Sequence, residues 1–338
     1  MAKNAYVGVA GKARKVKEIY VGVNGKARRV VKGYVGVNGV ARQFWPNGKT
    51  LSAWQKSTLP ATDNWTGVAY GNGRFVAVSA SQRAAYTSNA VSWTNGTLPL
   101  DAGDVPWDIT FGNGKFVVAA RGGTGAYSSN GSSWTKTTVP IGNWMCIAYG
   151  GGKYVMLGQS GSAAYSADGI TWQKADLPFS GSFFSVVYGE GKFVAVNTDG
   201  AAVESVDGVN WSRAASVPTG LRAIAYGNGM FLAGGPANGV LFWSKDGGKT
   251  WNNNFIIKPA ASVWGIAYGD SLFVAVGNQM STGSASQESV STTDAQTWTA
   301  YKLPEQQNWT RAAYGDGRFV VVSGYFTPAN AAAYALVN

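Results

Sequence analysis

An all-β fold of many short strands is what the sequence predicts, and three observations carry it. A phrase of the type Tyr/Phe-Gly-x-Gly-Lys/Arg-Phe-Val recurs with its aromatic at Tyr70, Phe111, Tyr149, Tyr188, Tyr226, Tyr268 and Tyr314, a spacing of 38 to 46 residues. A second marker closes each phrase, a tryptophan at Trp54, Trp93, Trp134, Trp172, Trp211, Trp251 and Trp298. Glycine is abundant, at 46 residues, and aromatics match charged residues at 13% each, which suits tight turns between strands with bulky rings in the core. A period near 40 with several strands per period predicts a β-propeller, and seven copies predict seven blades.

The composition also excludes chemistry. Histidine is absent, so imidazole acid/base catalysis and His-ligated zinc are excluded. The single cysteine, Cys146, lies in an apolar strand pattern and reads as a buried thiol, which leaves no disulfide framework. Neither a metal nor a cofactor is expected. The sequence opens without an apolar leader, and no run approaches the 18 apolar residues of a membrane helix, so no membrane insertion is expected.

Charge divides the chain. Residues 1–49 hold eleven Lys/Arg against Glu18, whereas residues 50–338 hold seventeen Lys/Arg against sixteen Asp/Glu. Two domains are expected: a basic β-hairpin repeat module at 1–49 and the propeller at 50–338. The first has its own fourteen-residue period, beginning at Tyr6, Tyr20 and Tyr34. Each Tyr-Val-Gly-Val alternates on a two-residue period, and Asn24-Gly25 and Asn38-Gly39 suit the type I′ turn of a hairpin. The return strands carry Lys12, Arg14, Lys26, Arg28, Arg29 and Arg42, the candidate anchoring residues. Three such hairpins bury too little surface to stand alone, so a packing partner is expected. The basic residues alternate with Val and Ala without a platform of free aromatics, which disfavours nucleic acid as that partner.

The repeat Tyr20-Val-Gly-Val-Asn-Gly-Lys-Ala-Arg28, followed by Tyr34-Val-Gly-Val-Asn-Gly-Val-Ala-Arg42, resembles a module at the N-termini of tail-associated structural proteins of bacteriophages and prophages. The resemblance implies a virion protein that attaches through residues 1–49 to other virion structural proteins, in multiple copies per particle. It also implies an outward propeller of the tail-fibre or baseplate type that contacts a host surface glycan or protein. The alternatives are a neck, collar or capsid decoration without receptor binding, and a sialidase-like glycosidase.

Along residues 50–338 the first marker is the end of a phrase rather than a beginning. Leu51 to Pro60 matches the stretch from Trp298 to Pro304, while the seventh phrase reaches Val337 without a terminal tryptophan. The expectation is that the strand at 51–57 completes the last blade, so that no sheet edge stays open. The turn Ser244-Lys-Asp246-Gly-Gly-Lys-Thr250-Trp251 resembles the Asp-box of sialidases and other propellers, and shorter versions stand at Ser166–Trp172 and Ser205–Trp211. Its residues read as structural, and the chain is read as a non-enzyme: no carboxylate pair departs from the repeat, and Asp108 stands alone as a candidate.

The ligand-binding candidates are the residues that vary. Trp65, Trp107, Trp144, Phe183, Phe184, Trp264 and Trp309 fall four or five positions before the marker aromatic and are expected to ring one mouth of the central channel. Arg222 and Arg311 lie near the starts of inner strands, and Tyr325 and Phe326 occupy a long loop on the same expected face.

Overall fold

The computed structural model describes residues 49–338 except 215, 236–238, 257–261, 279–285 and 325–327; only backbone is described for strand residues within 1–48 and for 254–256, 278 and 286. The chain divides into two compact units, Met1–Lys49 and Thr50–Asn338. In the first, Tyr6–Val9 pairs with Lys12–Lys15, Tyr20–Val23 with Lys26–Arg29, and Gly33–Val37 with Val40–Trp45, as separate antiparallel hairpins. Registers of Val9 opposite Lys12, Val23 opposite Lys26 and Val37 opposite Val40 leave two residues per connection. The candidate anchoring residues Lys12, Arg14, Lys26, Arg28, Arg29 and Arg42 all lie on the return strands. The Asn-Gly turns fall outside the described residues.

The second unit is an all-β propeller, with no α-helix among the described residues. Hydrogen bonding joins its strands into six sheets, five of four strands and one of six. That count is one below the number of sequence phrases because Thr135–Gly150 runs through two pairings. Its first part pairs with Lys115–Ser128, and Trp144–Gly150 pairs with Lys153–Gly158.

The markers explain themselves in the packing. Each marker aromatic meets the aromatic five residues on, from Tyr70–Phe75 to Tyr314–Phe319, at ring-centroid distances of 4.6–4.9 Å. These tilted pairs sit in the range where edge and face of the two rings attract. Each marker ring also lies directly over the glycine of the preceding phrase. A methyl on Gly71 would come within 2.1 Å of the Phe111 ring, and the same holds for Gly112 under Tyr149, Gly150 under Tyr188, Gly189 under Tyr226, Gly227 under Tyr268 and Gly269 under Tyr314, all at 2.3 Å or less. The series returns to its start, since Gly315 lies under Tyr70.

The turns after the third strands are held by side chains that bond their own backbone. Ser166 Oγ accepts from Gly169 N at 2.8 Å, and Asp168 Oδ1 accepts from Ile170 N and Thr171 N at 2.8 Å. Ser205/Asp207, Ser244/Asp246 and Thr292/Asp294 repeat the arrangement, and Thr87/Asn89 and Ser128/Asn130 do so with an amide in place of the carboxylate. Gly208 adopts φ +72° in its turn, and a side chain there would meet Val155 Cγ1 at 2.8 Å. Asp207 is held well below the ordinary carboxylate range by N–H donation from Asn210 and Val209 and by the Asn210 amide. Its folded value is lowered, so its contribution to stability is full above the unfolded value of 3.8 and is lost as pH falls below it. Asp207→Ala is therefore expected to lower the melting temperature at neutral pH. The gap to the parent should shrink as pH drops from about 5 to about 2, as scanning calorimetry across that range would read.

Basic residues in the turns after the inner strands are latches between sheets. Arg74 Nη1 donates to Asn130 O at 3.0 Å, Lys153 Nζ to Asp207 O at 3.0 Å, and Arg318 Nη1 to Asn89 O at 2.7 Å. Their carbonyl partners are the backbones of the Ser-x-Asp-type turns just described. These three basic side chains are thus spent within the scaffold.

Gln55–Asp63 lies antiparallel to Ala329–Leu336, with Gln55 opposite Tyr334 and Thr58 opposite Ala331. The strand begins four residues later than the expected 51–57, although Leu51 still bridges Val337. Neighbours grip it on both sides. Trp54 Nε1 donates to Ser289 Oγ at 2.8 Å, and Trp93 Nε1 donates to Ser57 Oγ at 2.8 Å. Leu51, Trp54 and Leu59 are buried in two different hydrophobic clusters.

Candidate functional site

Six inner strands carry a one-residue register slip near their first residues. It falls between Trp65 and Gly67, Pro106 and Asp108, Trp144 and Cys146, Phe183 and Ser185, Val263 and Gly265, and Trp309 and Arg311. The skipped residue, four before the marker aromatic, is Thr66, Trp107, Met145, Phe184, Trp264 or Thr310. In the remaining inner strand, Ala223–Gly227, the same position is Arg222, whose N–H donates to Gly234 O at 2.9 Å. Such a bulge re-aims side chains at a strand end; of the residues at this position Phe184, Arg222 and Trp264 line the cleft described below, whereas Thr66, Trp107, Met145 and Thr310 are buried and do not.

The offset separates the aromatic candidates into two sets. Trp65, Phe183 and Trp309 are fully buried and Trp144 is 1% exposed; all stand five before the marker and pack between sheets. Trp65 Nε1 and Trp144 Nε1 donate to the carbonyls of Ala61 and Pro140. For Trp65, Trp144 and Trp309 the expected ring-face contact with a ligand is corrected: these indoles are core. Trp107 and Trp264, one residue later, are also buried, at 7% and 3% exposure; Trp264 lines the cleft described below and Trp107 does not, so the expected ligand contact is corrected for Trp107 too. Arg121 lies 4.0 Å from the centroid of Trp107, and Arg222 lies 4.6 Å from that of Trp264 and 5.2 Å from that of Phe184. Guanidinium groups occupy the stacking surfaces that a sugar would need. Tyr325 and Phe326 lie outside the described residues.

Phe184, Arg222, Trp264, Arg311, Asp108 and Ser185 line a cleft of about 120 Å³, together with Val68, Ala223, Ile224, Gly265, Ile266 and Ala312. Both arginines singled out from the sequence therefore meet in one place. Arg311 Nε faces Asp108 Oδ1 at 4.0 Å, and Arg311 Nη1 donates to Thr310 O at 3.1 Å. Gly67, on the inner strand between theirs, puts no side chain in the way. Asp108 accepts N–H bonds from Ile109 at 2.9 Å and Ile147 at 3.2 Å. Ser185 Oγ likewise accepts from Ile224 N of the next inner strand, at 3.2 Å. Burial pushes the Asp108 carboxyl up to about 6, against the opposing pull of the Arg311 charge and the two N–H donors. Cys146 is buried and free, and burial with the nearby Asp108 charge pushes its thiol well above the usual range, which removes it as a nucleophile. The groups the sequence did not single out are Arg121, Met145 and Ser185. Their signal was their distance from the marker or from the second strand, readable only once the bulge is known. Among the described residues no group of three acidic or thiol ligands could hold a metal ion.

No family model matches the chain, and no curated protein matches it by sequence. Solved structures do match. A streptogramin B lyase aligns with TM-score 0.70 at 12% identity, over 84% of this chain and 97% of that one. YCF48 bound to D1 peptide aligns at 0.66 and 15%, over 85% and 96%. YCF48 from Cyanidioschyzon merolae aligns at 0.61 and 15%, over 84% and 98%. The likeness is one of fold. At these identities neither the activity of the lyase nor the D1-peptide binding of YCF48 transfers to this chain.

Proposed function

We propose that the chain is a non-enzymatic binding protein of a phage or phage-like particle, attached to other virion proteins through residues 1–49 and binding a host surface component through the propeller. One observation carries the binding half. Residues that depart from the repeat, Phe184, Arg222, Trp264, Arg311 and Asp108, come together in a single cleft, while the constant residues are spent on the scaffold. The attachment half rests on the resemblance of the fourteen-residue repeat and on the concentration of net charge in residues 1–49. We further read the ring as seven blades, the six-stranded sheet being two blades that share Thr135–Gly150, with Gln55–Asp63 as the closing strand. The cyclic order of marker rings on glycines, ending with Tyr70 over Gly315, supports that count. Thr50 O accepts from Asn338 N, and Val337 N donates to Gly317 O, beside the turn that ends an inner strand.

The test is saturable binding of the labelled full-length chain to intact cells of a panel of bacteria. Retention that unlabelled chain competes away, and that Arg222→Ala with Arg311→Ala abolishes, is expected. Absence of retention on every strain would overturn the receptor reading and leave the particle decoration. Turnover on a panel of sialosides and other glycosides would overturn the non-enzyme reading.

A further inference from the structure

We infer that the cleft takes a primary carboxamide, the side-chain end of a glutamine or asparagine on a peptide, whose oxygen accepts from Arg311 and whose NH2 donates to Asp108. The inference rests on the binding reading above and names its ligand class. Size is its first support. A cleft of about 120 Å³ has room for about four non-hydrogen atoms, at the roughly 30 Å³ that each water takes in the liquid. A CH2–CONH2 end fills that space, whereas a sugar or aromatic ring exceeds it. Arg311 Nε stands 4.0 Å from Asp108 Oδ1, too far for a direct bond. Arg311 spends Nη1 on the carbonyls of Thr310 and Trp264, and Nη2 has no acceptor among the described residues. Asp108 accepts one N–H on each oxygen, from Ile109 and Ile147, which leaves roughly half of its lone-pair sites open. The N and O of a primary amide lie about 2.3 Å apart, with an N–H and a lone pair on the same edge. Bonds of about 2.9 Å can run from that edge to two groups 4.0 Å apart. The secondary amide of a peptide backbone turns its N–H and C=O in opposite directions and cannot do this.

The backbone of the lining matches the same neutral chemistry. Two-residue turns close the inner hairpins, with Gly71 opposite Arg74, Gly269 opposite Leu272 and Gly315 opposite Arg318. Counted back from those hydrogen-bonded pairs, Val68, Ile266 and Ala312 fall in non-hydrogen-bonded pairs, so their N–H and C=O both turn away from the second strand. The N–H groups of Ile147 and Ile224, at the equivalent position, show that direction, since they donate to Asp108 and Ser185. At Ala312 the facing residue is Gly265, whose Cβ would lie 3.1 Å from Ala312 N, so no side chain covers that N–H. Donors and acceptors side by side suit a group that carries both. An acid would set its charge beside Asp108, and an amine beside Arg311. Arg222 is engaged within the protein and lies on Trp264 and Phe184, and no ligand contact is assigned to it.

The experiment is isothermal titration of the full-length chain with four tripeptides, Gly-X-Gly blocked by N-acetyl and C-terminal methylamide groups, in which X is Gln, Asn, Glu or Met. The Gln or the Asn peptide is expected to bind, with the Glu and Met peptides weaker by about tenfold or more. Asp108→Asn presents a donor where the parent has an acceptor, so it should bring the Glu peptide level with the better amide or past it. A merely structural Asp108 would leave the ratio of amide to Glu peptide unmoved. Ala312→Val keeps a good strand former while narrowing the cleft, and should weaken the amide peptide by about tenfold. Equal binding of the Glu or Met peptide to the parent chain, no binding of either amide peptide, an unmoved ratio in Asp108→Asn, or unchanged affinity in Ala312→Val would overturn the inference. If a variant fails to fold, the four peptides on the parent chain still decide. Cell retention that survives a negative result would leave the receptor reading standing with another ligand.

Discussion

Gly71→Ala is expected to destabilise the propeller by about 3 kcal/mol or more, a fall in melting temperature of roughly 6 to 12 °C for a domain of this size. The added methyl would lie 2.1 Å from Phe111 Cγ and Cδ2, where no pair of carbon atoms can rest. The opposing effect, reduced freedom of the unfolded chain, is worth only about 0.4–1 kcal/mol and cannot offset it. Relief by motion is blocked because Phe111 is wedged against Phe116 at 4.8 Å, and Phe116 is fully buried. Phe111→Ala alone should cost about 3 kcal/mol through the cavity it leaves. Combined with Gly71→Ala it removes the ring that the methyl strikes, so the double variant should be clearly more stable than the sum of the singles implies. Additive losses in a denaturation cycle would show that the glycine is not there to admit the ring.

Excising residues 50–63 is expected to abolish cooperative unfolding altogether. The segment buries Leu51, Trp54 and Leu59, each worth about 1.5–3 kcal/mol of transfer free energy, which together rival the roughly 5–15 kcal/mol that a domain has to spare. It also takes away one of the two strand partners of Ala329–Leu336 and leaves that strand as an open edge. Circular dichroism and calorimetry of the shortened chain would check this, and a melting transition at the parent temperature would remove the segment from the propeller's structure. Substituting Trp54 alone should have a smaller effect, because Leu59 and the strand pairing stay in place.

Much of the architecture was legible because it repeats. Seven copies of one packing solution place an aromatic, a glycine and a polar turn at fixed intervals, and each answers a local demand: a ring needs a bare backbone to lie on, and a tight turn needs its N–H groups bonded. The unfinished last phrase and the surplus stretch at 51–57 led the sequence reading to pair these two segments, and Gln55–Asp63 lies beside Ala329–Leu336 in one sheet. Charge segregation into residues 1–49 was equally plain, being only a count.

The mouth was legible only in part. Arg222, Arg311, Trp264 and Phe184 stood out because they break the repeat, and they line one cleft. Trp65, Trp144 and Trp309 stood out equally and lie in the core. Nothing in the residue types tells the two sets apart: the distinction is one position along a strand, at a bulge set by the hydrogen bonding between strands. The coverage of Trp107 by Arg121 and of Trp264 by Arg222 is likewise a matter of angstroms across separate strands. The sequence by itself determined the repeated scaffold, since each of its contacts recurs at a fixed spacing. Which variable side chains meet, and whether an indole or a guanidinium is the surface a ligand touches, was decided by the tertiary structure, because those contacts join residues that no periodicity relates.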